Sequence, residues 1–404
     1  MLITTLRWDQ ENGWSAPFPD HDGPTTFVLA FGPSSLLDDP TPLHELHAAF
    51  PRSAVVGCST SGEIDGDSVD DGSVVVTVTR FDDVALTVVP LEVPDATASR
   101  QAGEAAARRL LAAQPALQAA FVLSDGLGVN GSTLVEGLTA VLPPEVVITG
   151  GLAGDGDRFE RTWVLVDGEP RAHHVVAVGL SGPGLLVGYG SQGGWEIFGP
   201  ERRITRAEGN VLYELDGQPA LALYKKYLGD RAEGLPATAL LFPLALRIPG
   251  AEHRQVVRTV LATDEASQSM TFAGDVPENS FAQLMRASFE RLIDGAEAAA
   301  EHAALVAPFT QRNAGAEAPA DFLDEEPVLA VAISCVGRRI VMGRHTEDEL
   351  EATRSALPGR STMVGFYSYG EICQVGLGQC DLHNQTMTVT TFQERRADAL
   401  HEAA

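Results

Sequence analysis

The chain has few basic residues and almost no lysine. Its 404 residues carry 55 Asp and Glu against 28 Lys and Arg, a formal net charge of −27, and the two lysines are Lys225 and Lys226. A protein that binds duplex DNA needs a basic surface that displaces phosphate counterions, and anionic membranes attract basic surfaces as well. The charge therefore excludes nucleic acid and acidic membranes as partners. An anionic ligand group must be held by arginine or by backbone N–H groups.

Cysteine and long apolar runs are also scarce. The four cysteines, at positions 58, 335, 373 and 380, form no C-x-x-C pair of the kind that binds zinc. No run approaches the roughly 18 apolar residues that span a bilayer. The N-terminus lacks the basic and apolar regions of a signal peptide. We therefore expect a reduced, soluble, cytoplasmic protein.

The rest of the composition is typical of a folded α/β protein. Hydrophobic residues make up 44% of the chain and charged residues 21%, and a prior of about 150 residues per domain favours two domains or more. Short apolar runs, as at 26–31 and 119–124, alternate with helical patterns, as at 41–50 and 132–141. Strands separated by helices of this length predict βαβ units with parallel pairing.

Two segments near the ends of the chain repeat each other. Residues 53–64 align without gaps on residues 361–372, with six of twelve positions identical, and both copies end in Gly-Glu-Ile. A strand and a helix precede each copy, and a strand follows it. Residues 119–166 have the same order of elements, with a Gly-Gly-Leu-Ala-Gly-Asp loop at 150–155. The repeat predicts a strand–helix–strand–strand unit that occurs at both ends of the chain.

This unit predicts two α/β domains, at residues 25–216 and 217–392, with a ligand cleft between them. In open α/β sheets, ligands bind outside the carboxyl ends of the strands, where both repeated loops lie. Each loop offers hydroxyl groups, backbone N–H groups and a carboxylate, from Glu63 in one copy and Glu371 in the other. We expect the two loops to line facing halves of the cleft. The alternative is a pair of tight turns with solvated glutamates.

Motifs along nearly the whole chain carry a resemblance to a known family. In the N-terminal half they lie at 56–64, 124–127 and 150–155, and in the C-terminal half at 272–277, 334–339, 365–372 and 382–386. In these motifs the chain resembles the FIST sensory family, bacterial intracellular sensor modules of two parts. The resemblance implies a protein that binds a small molecule, amino acids being the suggested class, and passes the signal to an output module.

The resemblance leaves little sequence for an output domain. Family members are often fused to kinase, cyclase or chemoreceptor-type modules, whereas about 24 residues precede the resemblance here and about 12 follow it. We therefore expect signalling to a partner protein in trans, switched by closure of the two halves on the ligand. For an amino-acid-like ligand, Glu63 and Glu371 would bind the ammonium. Arg338 or Arg339, with backbone N–H groups near 57–62, would bind the carboxylate.

Other polar residues near strand ends complete the predicted ligand-binding set. Arg338 and Arg339 could instead form structural ion pairs. Of Tyr367 and Tyr369, one is expected to face the cleft and the other the core. The amides at 384–385 could cap turns instead of binding a ligand. The set comprises Cys58, Ser59, Thr60, Ser61, Glu63, Asp125, Asn130, Asp155, Arg338, Arg339, Tyr367, Tyr369, Glu371, His383 and Asn384.

An enzyme is the alternative to a sensor. A hydrolase or transferase would use a loop carboxylate, or Cys58 as nucleophile if His383 lay near it, although a free cysteine is more often a small core residue. Residues 126–131 fit G-x-G-x-x-G, but the next strand ends in Thr149-Gly150, without the acid that holds a ribose. We predict no catalytic residue, no metal site and no cofactor.

Overall fold

Four β-sheets and their covering helices make up the part of the chain that a computed structural model describes, residues 1–235, 237–249, 255–286, 288–310, 326–376 and 379–395. The helices are α1 (Thr41–Ala49), α2 (Ser99–Ala113), α3 (Gly131–Thr139), α4 (Ala220–Leu228), α5 (Phe289–Thr310), α6 (Val336–Met342) and α7 (Thr346–Ser355). The strands, in chain order, are β1 (Leu2–Asp9), β2 (Gly13–Trp14), β3 (Thr26–Gly32), β4 (Ala54–Ser59), β5 (Glu63–Asp65), β6 (Ser68–Asp70), β7 (Val74–Arg80), β8 (Ala85–Glu92), β9 (Ala119–Ser124), β10 (Val147–Leu152), β11 (Val164–Val166), β12 (Glu169–Arg171), β13 (His174–Ser181), β14 (Leu185–Gln192), β15 (Glu196–Ile197), β16 (Arg202–Glu208), β17 (Val211–Leu215), β18 (Gln218–Pro219), β19 (Leu244–Arg247), β20 (Gln255–Arg258), β21 (Val260–Asp264), β22 (Ser269–Phe272), β23 (Phe281–Arg286), β24 (Val328–Cys335), β25 (Ser361–Ser368), β26 (Gly370–Gly376), β27 (Gln379–His383) and β28 (Met387–Glu394).

Three of the sheets are built on the same strand order. The first sheet runs β12-β11-β4-β3-β7-β1-β2, the second β27-β26-β10-β9-β13-β8 and the third β14-β28-β24-β25-β5-β6. Each contains a parallel pair, β3 with β4, β9 with β10 or β24 with β25, whose strands flank one or two helices. An antiparallel strand pairs with the other side of the first strand in each case. The α/β class predicted from the sequence is confirmed.

These three sheets exchange hairpins in a ring. β5 and β6 follow β4 in the chain but extend the third sheet, because β5 pairs with β25. β26 and β27 follow β25 but extend the second sheet, because β26 pairs with β10. β11 and β12 follow β10 but extend the first sheet, because β11 pairs with β4. The second and third sheets therefore mix strands from both predicted sequence domains. The domain limits at residues 25–216 and 217–392 remain a prediction.

The three sheets bury one face against each other and the opposite face under helices. Phe27, Phe121 and Phe392, one from each sheet, meet edge to face with ring centroids 6.0–6.4 Å apart. On the other face of the third sheet, Ala330 and Ala332 belong to a cluster with small residues of α5. Strands covered on both faces are continuously apolar rather than alternating, which explains why all of β3 and β24 is buried.

The fourth sheet is antiparallel and is formed by the middle of the chain, from β15 to β23. It runs β20-β19-β23-β16-β17-β22-β21, with β15 on β23 and β18 on β17. α4 packs on it through Leu221 and Tyr224, in a cluster separate from the core of the first three sheets. Across the described ranges, no helix combines the length and the apolar character needed to cross a membrane.

Candidate functional site

A cleft of about 900 Å³, which we call the charged cleft, lies where loops of the first three sheets meet α6 and α7. Four arginines and five acids line it together with hydroxyl groups of the repeated loop. Its polar lining consists of Arg158, Arg161, Arg339, Arg344, Glu63, Asp71, Asp157, Glu160, Glu347, Ser34, Ser35, Thr60, Ser61 and Thr346. This concentration of arginine, in a protein of net charge −27, makes the cleft suited to a ligand that carries charges of both signs.

Glu63 forms part of the cleft wall at the start of β5. Its carboxylate accepts hydrogen bonds from Thr60 Oγ1 at 2.5 Å and from the Gly72 backbone N–H at 3.2 Å. The residue is only 1% exposed, and burial, which outweighs these hydrogen bonds, raises the pKa of Glu63 to about 8. At neutral pH this side chain is therefore mostly protonated in the free protein.

Arg339 reaches the same loop from α6, although it lies far away in the sequence. Its Nη1 donates to the Ser61 carbonyl oxygen at 2.5 Å, and its two terminal nitrogens bind both oxygens of Asp71, each at 2.7 Å. Gly62 has a φ of +130°, and a Cβ there would lie 2.4 Å from Arg339 Nη1. The glycine of the Gly-Glu motif therefore allows the arginine to approach the loop.

Asp155 orders the segment that brings two further arginines to the cleft. Its buried carboxylate accepts from Ser34 Oγ at 2.6 Å, from Arg158 Nε at 2.8 Å and from the N–H groups of Glu160 and Arg161. Burial opposes ionisation, but the hydrogen bonds from Ser34 and Arg158 outweigh it and lower the pKa of Asp155. Asp155 thus holds the 158–161 segment in place at the edge of the cleft through its hydrogen bonds and does not itself line the cleft.

Arg338 does not face the cleft. Arg338 and Glu349 are both fully buried, with Arg338 Nε 2.8 Å from Glu349 Oε2. The remaining guanidinium nitrogens donate to the carbonyl oxygens of Gly193 at 2.6 Å and Leu292 at 2.7 Å. The prediction that Arg338 binds a ligand carboxylate is wrong, because every side of its guanidinium is occupied by the protein; the structural ion pair is what forms.

Glu371 is likewise enclosed. Its carboxylate accepts from Ser368 Oγ at 2.7 Å, Thr386 Oγ1 at 2.9 Å and the Thr386 N–H at 3.2 Å. The residue is fully buried and lines neither the charged cleft nor the cavity next to it. Burial raises its pKa to about 8. The prediction that Glu371 faces Glu63 across one cleft is corrected, because the turn before β28 covers it.

Cys58 and Ser59 belong to the interior as well. The Cys58 side chain lies in the core shared by the three sheets, and burial raises the pKa of its thiol well above the usual range. Ser59 Oγ accepts from the Trp163 N–H at 3.0 Å. His383 Nε2 lies 3.3 Å from the carbonyl oxygen of Cys373. The prediction of Cys58 as a nucleophile is therefore not supported, because the side chain is fully buried in the core, does not line the cleft, and is in surroundings that disfavour the thiolate.

Asp125 holds a loop rather than a ligand. Its Oδ1 accepts from the N–H groups of Leu127 at 2.8 Å and Gly128 at 3.0 Å and from Thr162 Oγ1 at 2.8 Å. The other oxygen accepts from the His173 N–H. The expectation that Asp125 binds a ligand is corrected, since both of its oxygens accept hydrogen bonds from the protein and the residue lines neither the charged cleft nor the cavity next to it.

Asn130 and Tyr367 are structural too. Asn130 caps α3 by accepting from the Thr133 N–H at 3.2 Å, and its Nδ2 donates to Asp275 at 3.0 Å, away from both cavities. Tyr367 is fully buried and donates to Glu349 at 3.0 Å. Neither side chain lines the charged cleft. Asn130 therefore serves as a helix cap in the structure, and its predicted ligand-binding role is not supported.

A second cavity of about 400 Å³, the apolar cavity, adjoins the charged cleft. Both share Asp157, Val336 and Ile340 in their walls. Tyr369 and Asn384 of the predicted set lie here. The other lining residues come from the fourth sheet, its preceding 3-10 turns, the loop after β10 and the start of α6: Phe159, Gly234, Leu235, Leu240, Thr259, Val260, Leu261, Ala273, Cys335 and Gly337.

The predicted residues that reach the charged cleft are thus Thr60, Ser61, Glu63 and Arg339. Sequence reasoning missed Arg158 and Arg161, although a signal was present: two arginines three residues apart follow directly on the glycine-rich loop at 150–155. It also missed Asp71, which lies outside the repeated segment 53–64 and belongs to no motif that the sequence analysis identified. Within the described ranges, no three His, Cys, Asp or Glu side chains are grouped so that they could hold a metal ion.

Comparison with known proteins finds two family models and several distant structures. The FIST N domain model matches residues 26–218 and the FIST C domain model residues 220–374. No curated protein matches the chain.

Three solved structures align only weakly. A crystal structure of chorismatase aligns with a TM-score of 0.36 and 10% identity, over 97% of this chain and 98% of that one. A cyanuric acid hydrolase from A. caulinodans aligns with a TM-score of 0.18 and 12% identity, over 78% and 100%. PurLQS from Thermotoga maritima gives a TM-score of 0.18 and 8% identity, over 93% and 67%. At these TM-scores, none of the three informs the fold or the activity.

Proposed function

The chain belongs to the FIST family, whose domains are sensory and bind small ligands, and we propose that its charged cleft binds an amino-acid-like metabolite. The observation that carries the proposal is that Glu63 and Arg339, which are far apart in the sequence, line one cleft, where Arg339 contacts the loop that precedes Glu63. A zwitterion carries one positive and one negative group close together. A carboxyl group and a guanidinium in the same cleft provide a counterpart for each.

Arg339 is the proposed partner of the ligand carboxylate. It already binds a carboxylate in a forked geometry, that of Asp71, whose side chain is 71% exposed. Exposed ion pairs contribute little free energy, so a ligand carboxylate can replace Asp71 on the same two nitrogens. The hydrogen bond to Ser61 and the Tyr367 ring, 5.6 Å from the guanidinium, keep Arg339 in place during the exchange.

Glu63 is the proposed partner of the ligand ammonium. Its pKa of about 8 leaves it mostly protonated at neutral pH, and a positive charge placed nearby favours the ionised form. Binding is therefore coupled to release of a proton from Glu63. Asp157 and Glu160, on the facing segment of the cleft, add negative potential that attracts the same ammonium group.

The proposed signal is a movement of the walls around the ligand. One wall carries Arg339, Arg344 and Glu347 on and around α6 and α7, and the other carries Arg158 and Arg161 on the loop that Asp155 orders. A ligand that contacts both walls stabilises the closed arrangement over the open one. We propose that a partner protein in trans recognises the surface that this closure changes.

A thermal-shift screen of the amino acids tests the proposal. A ligand that binds only the folded state raises the unfolding midpoint, and we expect a rise for one or a few of them. Arg339→Gln should weaken the binding of these amino acids roughly 10- to 100-fold, the effect of losing a charge-assisted fork. The matched control is Arg354→Gln, because Arg354 is an arginine of α7, 52% exposed and paired with Asp67, that does not line the cleft.

Two modified ligands test the two charges separately. The N-acetylated amino acid lacks the ammonium and the corresponding amine lacks the carboxylate, so each should bind more weakly than the parent. The absence of a shift with every amino acid, or equal losses in Arg339→Gln and Arg354→Gln, would contradict the proposal. Chemical conversion of the bound amino acid during incubation would instead favour an enzyme in which Glu63 transfers the proton.

A further inference from the structure

The apolar cavity contains buried polar atoms that nothing in the described protein satisfies. Asn384 is fully buried, and neither its Oδ1 nor its Nδ2 has a hydrogen-bond partner among the described residues. Thr259 is 3% exposed and its Oγ1 likewise lacks a partner there. Both residues line the cavity. Burying a polar group without a partner destabilises a fold, so such groups are uncommon and call for a reason.

A local role in the backbone does not provide that reason. Asn384 lies in the turn between β27 and β28, where an amide would be expected to cap the backbone. Within the described chain, however, its side chain makes no hydrogen bond to that turn. In this turn the backbone of Gln385 adopts the left-handed conformation, with a φ of +62°. The capping role proposed for Asn384 from the sequence is therefore not what the structure has.

The walls around the amide are apolar and in part aromatic. The Tyr369 ring stacks on Phe159, with centroids 4.5 Å apart and an interplanar angle of 15°. Val260 and Leu261 of β21 belong to another wall. Asp157, at the border with the charged cleft, is the one charged side chain among the described residues that line the cavity. A volume of about 400 Å³ is within the range of small-molecule sites.

We infer that the apolar cavity is a second binding site, for an uncharged planar group that carries a hydrogen-bond donor and an acceptor side by side, as a carboxamide or lactam does. The Asn384 amide presents the complementary acceptor and donor, so a paired amide–amide contact satisfies both of its free atoms at once. The Thr259 hydroxyl binds a further polar atom of the same group. The apolar walls take up the rest of the ring. The inference goes beyond the proposed function, because the only charged-cleft residues it involves are those that line both sites, Asp157, Val336 and Ile340.

Benzamide tests this site, with benzoate and acetophenone as probes of the same size. Benzamide should bind the protein, as measured by calorimetry, whereas acetophenone lacks the donor and should bind about tenfold more weakly. Benzoate should not bind, because its charge has no counterpart in the cavity. In Asn384→Leu, the affinity for benzamide should fall at least tenfold and that for acetophenone should be retained or increased. This reversal of preference is not expected from a merely structural asparagine.

Two variants keep the test decisive. Thr77→Val also removes a buried hydroxyl that lacks a partner in the described structure, but it lies in β7 and lines neither cavity, so it should leave benzamide binding unchanged. Thr259→Val should weaken benzamide binding several-fold, and it serves in place of Asn384→Leu if that variant does not fold. Failure of benzamide to bind the wild type, or equal losses in Thr259→Val and Thr77→Val, would overturn the inference. Arg339→Gln should bind benzamide normally, which separates this result from that for the charged cleft.

Discussion

The two repeated loops have the same internal chemistry and different surroundings. In each, the glutamate accepts a hydrogen bond from the hydroxyl three residues earlier, at 2.5 Å from Thr60 to Glu63 and at 2.7 Å from Ser368 to Glu371. Burial raises the pKa of both glutamates to about 8. Glu63 nevertheless borders an open cleft, whereas Thr386 closes over Glu371 with its hydroxyl and N–H. The motif therefore determines the loop, and the covering segment determines its accessibility.

The adjacent arginines differ in the same way. Arg339 leans on the Glu63 loop and binds an exposed carboxylate, whereas Arg338 ends between Glu349 and backbone carbonyls with no exposure. Of the two like glutamates and the two adjacent arginines, one of each stabilises the fold and the other is available for recognition.

The largest expected effect separates the two arginines by stability. Arg338→Met leaves the buried Glu349 carboxylate without its charge partner, and we expect the free energy of unfolding to fall by about 3–5 kcal/mol. Arg339→Met removes a partly exposed pair and should cost no more than about 1 kcal/mol. Urea denaturation of both variants measures the difference. The double variant Arg338→Met with Glu349→Leu should recover much of the loss, and equal losses in the two single variants would refute the distinction.

The next effect is the pH dependence of stability that the buried glutamates impose. The folded-state pKa of Glu371 is raised from its ordinary value of 4.5 to about 8, so the folded protein holds this proton more tightly than the unfolded chain. Its contribution is fully present below about pH 4.5 and is lost as the pH rises through about 8. We expect the free energy of unfolding to fall by about 1–3 kcal/mol between pH 5.5 and 8.5. Glu371→Gln, which mimics the protonated form, should remove the Glu371 part of this dependence in urea titrations at several pH values and leave the part that Glu63, with the same raised pKa, contributes. An unchanged slope would show that Glu371 does not carry the effect.

The smallest effect concerns ligand binding and sharpens the comparison of the two glutamates. If the ligand ammonium requires ionised Glu63, the affinity for the amino acid should rise about tenfold per pH unit up to about pH 8, because one pKa unit corresponds to about 1.4 kcal/mol. Calorimetry across pH 6–8 measures this rise. Glu63→Gln should abolish the pH dependence, and Glu371→Gln should preserve it. The same slope in both variants would mean that the proton comes from another group.

Much of the local structure could be predicted from sequence. Alternating strands and helices predicted the α/β class, and the apolar runs at 26–31 and 119–124 lie in β3 and β9. The loop around Glu63 was found because it recurs with six of twelve identities near the other end of the chain. All of these features depend on residues close together in the chain, where periodicity and backbone preference act directly.

The arrangement of the site could not be predicted in the same way. Two loops with matching sequences were expected to face each other, but the exchange of hairpins between the sheets carries β5 to β25 and β26 to β10. Pairing between distant strands depends on the global packing, which a local repeat does not specify. Arg158 was missed for a similar reason, since its place at the cleft follows from the contact of Asp155 with Ser34, two loops apart.

By itself, the sequence determined the class of fold, the loops that carry chemistry and the scarcity of positive charge that leaves anion binding to arginine. Tertiary structure alone decided which of two like glutamates and which of two neighbouring arginines reach a cleft. The physical reason is burial: a side chain that the rest of the protein surrounds completely spends its hydrogen bonds on the fold, and one with an open side keeps them for a ligand. Asn384 is an intermediate case, since it is fully buried and lines a cavity, and its amide has no hydrogen-bond partner in the described structure.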